Sequence, residues 1–213
     1  MFRPGLPVPG LQEGGATVRV LIACEYSGTV RDAFRAIGHD AVSCDLIPTD
    51  VAGPHYQGPV EDILGDGWDL MIAHPPCTYL ANSGVRWLHT EPGRWERLND
   101  GCELFNKLLS APIPRICVEN PIPHKYALER LERGYTQIIQ PWQFGHGETK
   151  GTCLWLKGLW PLQAREISSG RDGRMHKLPP SPDRWKIRSQ TYQGIAKAMA
   201  EQWGGRKWKK ESQ

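Results

Sequence analysis

The sequence predicts an α/β fold in which a doubly wound, mostly parallel sheet carries helices on both faces. Three observations predict it. Short apolar runs recur along the chain, each closed by a turn, as strands buried on both faces require. Between them lie stretches with apolar residues at helical spacing. The polar residues suited to chemistry collect where the apolar runs stop, which in such a sheet is a single rim.

The elements follow in order. Val18 to Ala23 reads as the first strand, and Thr29 to Ile37 as a helix with Val30, Ala33, Phe34 and Ile37 on one face, ended by Gly38. Ala41 to Cys44 is a second short strand closed by Asp45, and a loop with Pro48, Gly53, Pro54 and Gly58 leads to Val60–Leu64. Asp69 to Ala73 is a strand that stops at Pro75-Pro76. Pro92-Gly93 opens a helix to about Leu109, with Leu98, Cys102, Phe105 and Leu109 in register, broken by Pro112 and Pro114. Arg115 to Val118 is a strand ending at Glu119-Asn120-Pro121; Tyr126 to Arg133 is a short helix. Gln137–Ile139 and Thr152–Leu156 are later strands, and Thr191 to Trp203 is an amphipathic helix. Residues 163–189 show no clear periodicity.

A chain of 213 residues makes one domain and buries a core without disulfides or metal. The expected division is a loose Pro/Gly-rich leader (1–15), a single catalytic domain (16–204) and a basic tail (205–213). No apolar run approaches membrane-spanning length. The six cysteines form no Cys-x-x-Cys pair, so neither a metal site nor a disulfide framework is expected, and a reducing cytoplasm suits them; the compactness of the chain suits a prokaryotic or phage-infected cell. The net charge of +3 hides an asymmetry: from Arg165 onward, 12 Lys and Arg face 5 Asp and Glu. A basic C-terminal quarter suits phosphate contact.

Four strand ends carry the candidate chemistry. Cys24-Glu25-Tyr26-Ser27-Gly28 forms a glycine turn that opens a helix, where backbone amides can meet a ligand. Asp45 ends the second strand, a place where a carboxylate binds ribose hydroxyls in such sheets. Cys77 follows the double proline, and Glu119 follows the next strand. A thiol and a carboxylic acid on one rim suggest a nucleophile paired with an acid.

These residues resemble the motifs of the DNA cytosine 5-methyltransferases, in family order across most of the chain. Tyr26-Ser27-Gly28 resembles the aromatic-small-Gly opening of the S-adenosylmethionine loop, and Asp45 falls where the family has its ribose carboxylate. Glu61-Asp62-Ile63 resembles its Gly-Asp-Ile element, and Pro76-Cys77 with Ser83-Gly84 its catalytic loop. Val118-Glu119-Asn120 resembles its Glu-Asn-Val motif, and Gln193-Gly194 its C-terminal motif. The resemblance implies a Rossmann-like S-adenosylmethionine-dependent methyltransferase that methylates carbon 5 of cytosine in DNA. It implies cofactor contacts from Glu25, Tyr26, Ser27, Gly28, Asp45, Asp62, Pro75 and Gln193. Cys77 would add to carbon 6 of a flipped base and Glu119 would hold its ring nitrogen 3. Backbone amides after Cys77 would help lower a thiol pKa of about 8.5. Pro76, Asn82, Ser83 and Asn120 would face the substrate.

The chain departs from the pattern in places. Val30 stands for the second loop glycine, and Pro121 follows Glu119-Asn120. The Gln-x-Arg-x-Arg element is replaced by Phe144–Thr152, where Lys150, with Thr149 or Thr152, is expected to take over a contact with the cytosine carbonyl or the backbone. The target-recognition region shrinks to about residues 158–190, so a short or relaxed recognition sequence is expected, with Arg184, Lys186 and Arg188 among the phosphate contacts. Other readings keep or change this fold: RNA or a free cytidine nucleotide as acceptor, an amino methyltransferase, an inactive nucleic-acid-binding module, or a cysteine hydrolase. Amino methyltransferases place Asp or Asn before the prolines and need no thiol; here His74 and Cys77 stand instead.

Overall fold

The computed structural model describes residues 17–205, Asp183 excepted, so the expected leader and, beyond Gly205, the basic tail lie outside the described residues. Seven strands form one sheet: β1 (Arg19–Ala23), β2 (Asp40–Asp45), β3 (His55–Gln57), β4 (Leu70–Ala73), β5 (Arg115–Pro121), β6 (Gln137–Ile139) and β7 (Thr152–Lys157). Their order is β3-β2-β1-β4-β5-β7-β6, with β1 to β5 parallel and β7 antiparallel to both its neighbours. This is the Rossmann-like sheet expected, with one strand reversed. The helices are α1 (Thr29–Ala36), α2 (Arg94–Ser110), α3 (Lys125–Leu128), α4 (Arg174–Lys177), α5 (Arg184–Ser189) and α6 (Gln193–Trp203).

Side chains alternate across the sheet and divide the core in two. Leu21, Met71, Ile116, Val118 and Trp155 point to the face covered by α2 through Leu98 and Phe105. Val20, Ile22, Leu70, Ile72 and Leu154 point to the face covered by α1 and α6 through Val30, Phe34, Ile195 and Met199. Phe105 meets Trp155 edge-on, with ring centroids 4.8 Å apart. β1 and β4, central and covered on both faces, therefore read as unbroken apolar runs.

Several expectations are corrected at the edges of the sheet. His55–Gln57, within the expected loop, pairs with β2 as an edge strand; a three-residue polar strand gives no apolar alternation to read. The helix expected over 126–133 is one short turn, Lys125–Leu128. Residues 163–189 contain two short helices, and 3-10 turns occupy Asn82–His89 and Pro141–Phe144.

The register positions the site. Ala23 pairs with Ala73, and Ala73 with Val118, so the residues one step beyond, Cys24, His74 and Glu119, emerge abreast on the carboxyl rim. α6 packs on one face of the sheet beside α1, and its first turn meets the segment that ends in the loop before β7. The Gly194 amide donates to His146 Nε2 at 2.9 Å, and a Cβ at Gly194 would collide with the Phe144 carbonyl. Gly194→Ala is expected to cost about 1–3 kcal/mol through forced backbone movement. Denaturant unfolding measures this as a lower midpoint at unchanged slope.

Candidate active site

The loop that carries Cys77 is held at both ends. The His74 amide donates to the Ala23 carbonyl at 2.9 Å, the last rung of the ladder. Pro75 and Pro76 have no N–H, so the ladder stops and the chain turns away. The Cys77 carbonyl then accepts from the Leu80 and Ala81 amides, at 3.1 and 2.9 Å. Buried Asn120 donates its side-chain amide to the Pro75 carbonyl at 3.2 Å. Asn120, expected to face substrate, thus ties the loop down, although it also lines the cavity and its Oδ1 is buried without a partner among the described residues.

A cavity of about 110 Å³ opens at this rim, lined by Cys77, Glu119, His74, Lys150 and Arg188 among others. Two of the three expected catalytic residues, Cys77 and Glu119, meet there, and the third, Lys150, joins them from the loop before β7. Lys150 Nζ donates to the Arg188 carbonyl at 2.7 Å; an ammonium has donors to spare for a ligand. Glu119 Oε2 accepts from His74 Nδ1 at 3.0 Å.

The electrostatics of the two groups are coupled. Burial would raise the Glu119 carboxyl, but the His74 hydrogen bond and charge, with Lys150, outweigh it and hold it below the usual carboxylate range. Burial pushes the Cys77 thiol up, and the Glu119 charge adds to this. Lys150, the loop backbone and Arg188 pull it down without prevailing, which corrects the expectation of a lowered thiol. Alkylation of Cys77 in the ligand-free protein, followed by peptide mass mapping, is therefore expected to show a pH midpoint above the ~8.5 of a free thiol. Glu119→Gln removes a negative charge and should bring that midpoint down.

The neighbouring part of the rim holds the expected cofactor residues. Gly28 adopts a left-handed φ of 73°, and a Cβ there would lie 2.5 Å from the Arg31 guanidinium, so the turn requires glycine. Glu25 accepts from the Val30 and Arg31 amides, at 2.7 and 3.2 Å. Its carboxylate therefore caps α1, and this corrects the expectation that the helix N-terminus is open to a ligand. Ser27 donates to Glu25, and Tyr26 meets Ser189 Oγ at 3.0 Å. Glu25, Tyr26, Ser27 and Pro75 all line the cavity. Asp45 and exposed Asp62 lie farther along, outside its lining; Asp62 accepts from Tyr56 at 2.7 Å. Burial first, then Asp45, Asp62 and Glu61, push the Cys44 thiol up to about 12. Burial first, then Asp45, also pushes up the thiol of Cys24, which sits at a left-handed φ of 57°.

No family model and no curated protein matches the chain. Among solved structures it is similar to a DNA modification methyltransferase encoded within a prophage (E. coli), at 14% identity and a TM-score of 0.49, covering 71% of this chain and 52% of that one. It is similar to the Entamoeba histolytica methyltransferase EhMeth, at 14% identity and a TM-score of 0.42, covering 78% and 61%. It is also similar to the S. pombe Dnmt2 methyltransferase, at 15% identity and a TM-score of 0.41, covering 68% and 51%. The chain thus spans about half to three-fifths of the length of these structures.

Other expected residues lie elsewhere. Gln193 is exposed and outside the cavity lining, which takes Ser189, Gln190 and Thr191 from the segment just before it. Asn82 and Ser83 are exposed on the 3-10 turn beyond the loop, away from the cavity. Thr149 donates its amide to the Asp172 carbonyl at 2.9 Å and so holds the 172 segment. α5 lies over the rim: Trp185 packs on Tyr26 with centroids 5.7 Å apart, Lys186 lies 3.9 Å from Asp50, and Arg188 lines the cavity. Arg184 Nε is buried without a partner among the described residues.

Two features escape the sequence reading. His74 stands abreast of Glu119, a position that parallel pairing of β4 and β5 would have indicated. Buried Glu148 accepts from both Arg174 and Tyr192, stapling the loop of Lys150 to α4 and to the start of α6. Nothing in the sequence signals that pairing across such separations. Among the described residues no cluster of His, Cys, Asp or Glu could hold a metal ion, and no helix is long and apolar enough to cross a membrane.

Proposed function

We propose that the chain is an S-adenosylmethionine-dependent methyltransferase that acts on carbon 5 of cytosine in DNA through a covalent adduct on Cys77. One observation carries this: strand register and the double proline bring a thiol and a carboxyl, from separate strand ends, to one small cavity.

The neighbouring rim fits the donor. Its carboxylates, which add to burial in raising Cys24 and Cys44, suit a cationic sulfonium, and Asp45 and Asp62 offer acceptors for ribose hydroxyls and an adenine amino group. When bound, S-adenosylmethionine supplies an electrophilic methyl group. The chain's own residues do the rest. At neutral pH the Cys77–Glu119 pair holds one proton, on sulfur, because the thiol is raised and the carboxyl lowered. One proton shift from sulfur to carboxyl yields both the nucleophile and the acid. Thiolate sulfur bonds to carbon 6 while nitrogen 3 takes the proton held by Glu119, and the electron pair gained at carbon 5 takes up the methyl group. Loss of the carbon 5 proton to a base, with return of the nitrogen 3 proton to Glu119, then restores the carbon 5–carbon 6 double bond and expels the thiolate. Lys150 is placed to bind the ring carbonyl or a phosphate, and the basic residues of α5 to bind backbone phosphates without specifying sequence. Target choice is then short or relaxed.

The test is incubation with labelled methyl donor and, separately, duplex DNA, RNA and free cytidine nucleotides, followed by base mapping. The expected result is 5-methylcytosine in duplex DNA. Label on RNA or nucleotide alone reassigns the acceptor; label on an exocyclic amine, or none, overturns the reaction.

A further inference from the structure

His74 has no role in the reaction as written, yet it occupies the rim between Cys24 and Glu119. A carboxylate can only accept, so Nδ1 is the donor of the 3.0 Å bond to Oε2. The other ring nitrogen, Nε2, is buried and has no partner among the described residues. The ring's polar tie is therefore to Glu119. Glu119 Oε1 accepts no hydrogen bond among the described residues and is the oxygen left to meet a ligand.

We propose that His74 is a positioning residue that fixes Glu119 through Oε2, leaves Oε1 for the base, and sets the pH range over which the carboxyl lends its proton. This rests on the methyltransferase reading above. The groups facing Glu119 are His74 from the end of β4, Cys77 from the proline loop, Lys150 from the loop before β7, Cys153 on β7 and Cys117 on its own strand. His74 and Lys150 favour its ionised form, the thiols add no positive charge, and burial disfavours ionisation. With His74 removed, burial is opposed by Lys150 alone, so the carboxyl should titrate at higher pH. The low-pH limb of methyl transfer, where the carboxylate that must take the Cys77 proton is itself protonated, should move the same way.

The experiment follows the Glu119 carboxyl by carbon-13 NMR titration, assigned with Glu119→Gln, alongside the pH profile of kcat. It compares the unsubstituted chain with His74→Ala and His74→Gln, with thermal melts to verify folding. His74→Ala is expected to raise the carboxyl midpoint and the kinetic limb by about one pH unit or more. His74→Gln keeps a donor without a titrating ring and should shift both by less. A reduced rate with both midpoints unmoved overturns the proposal and leaves the reaction standing. A shifted carboxyl in a protein that transfers no methyl group overturns the function while supporting the pairing.

Discussion

Cys77→Ser is expected to lower methyl transfer by about 10⁴-fold or more, the scale on which loss of a covalent nucleophile is felt elsewhere. The hydroxyl is a far weaker nucleophile, and no other thiol is held on the proline loop. Cys24 also lines the cavity, but its thiol is raised by burial and by the acidic rim, so it is a poor substitute. The substitution changes one atom in a partly exposed turn, and stability should stay within about 0.5 kcal/mol of the parent. Binding of the methyl donor, measured by calorimetry, should persist. Activity retained in Cys77→Ser would mean that no sulfur adduct forms.

Glu119→Gln is expected to cost about 10²- to 10⁴-fold in kcat, the range for losing a general acid. The amide still accepts from His74 Nδ1, so the fold should hold. This variant separates two properties that a damaged site would lose together. Thiol reactivity toward an alkylating agent should rise at neutral pH, because the negative charge that raises Cys77 is gone, while methyl transfer falls. A parallel loss of both would indicate a disordered loop instead of a missing proton.

Much of this site is legible in the sequence because the sheet does most of the positioning. β1, β4 and β5 are apolar runs with one residue of chemistry at each end, and parallel pairing brings those ends to one rim. Cys77 is legible from the double proline, Glu119 from the run before it, and Gly28 from the turn it must make. Glu25 shows the limit. Its place on the rim is readable, but whether its carboxylate faces a ligand or caps α1 depends on side-chain torsion, and it caps the helix. Gln193 misses the cavity because α6 starts there and turns it outward, leaving Thr191 and the residues before it on the rim. The Glu148 staple with Arg174 and Tyr192 joins segments with no periodicity or motif to link them, so the sequence offers no handle on it.

The most direct measurement uses a duplex in which the target cytosine carries fluorine at carbon 5, where no proton can be lost after methyl transfer. The account predicts that protein, methyl donor and this duplex give a species stable to denaturation, with the mass of protein plus oligonucleotide plus one methyl group, and fragmentation placing the link at Cys77. If ordinary duplex is methylated while the fluorinated one yields no such species, or yields it at another residue, the sulfur chemistry assigned to this cavity is contradicted.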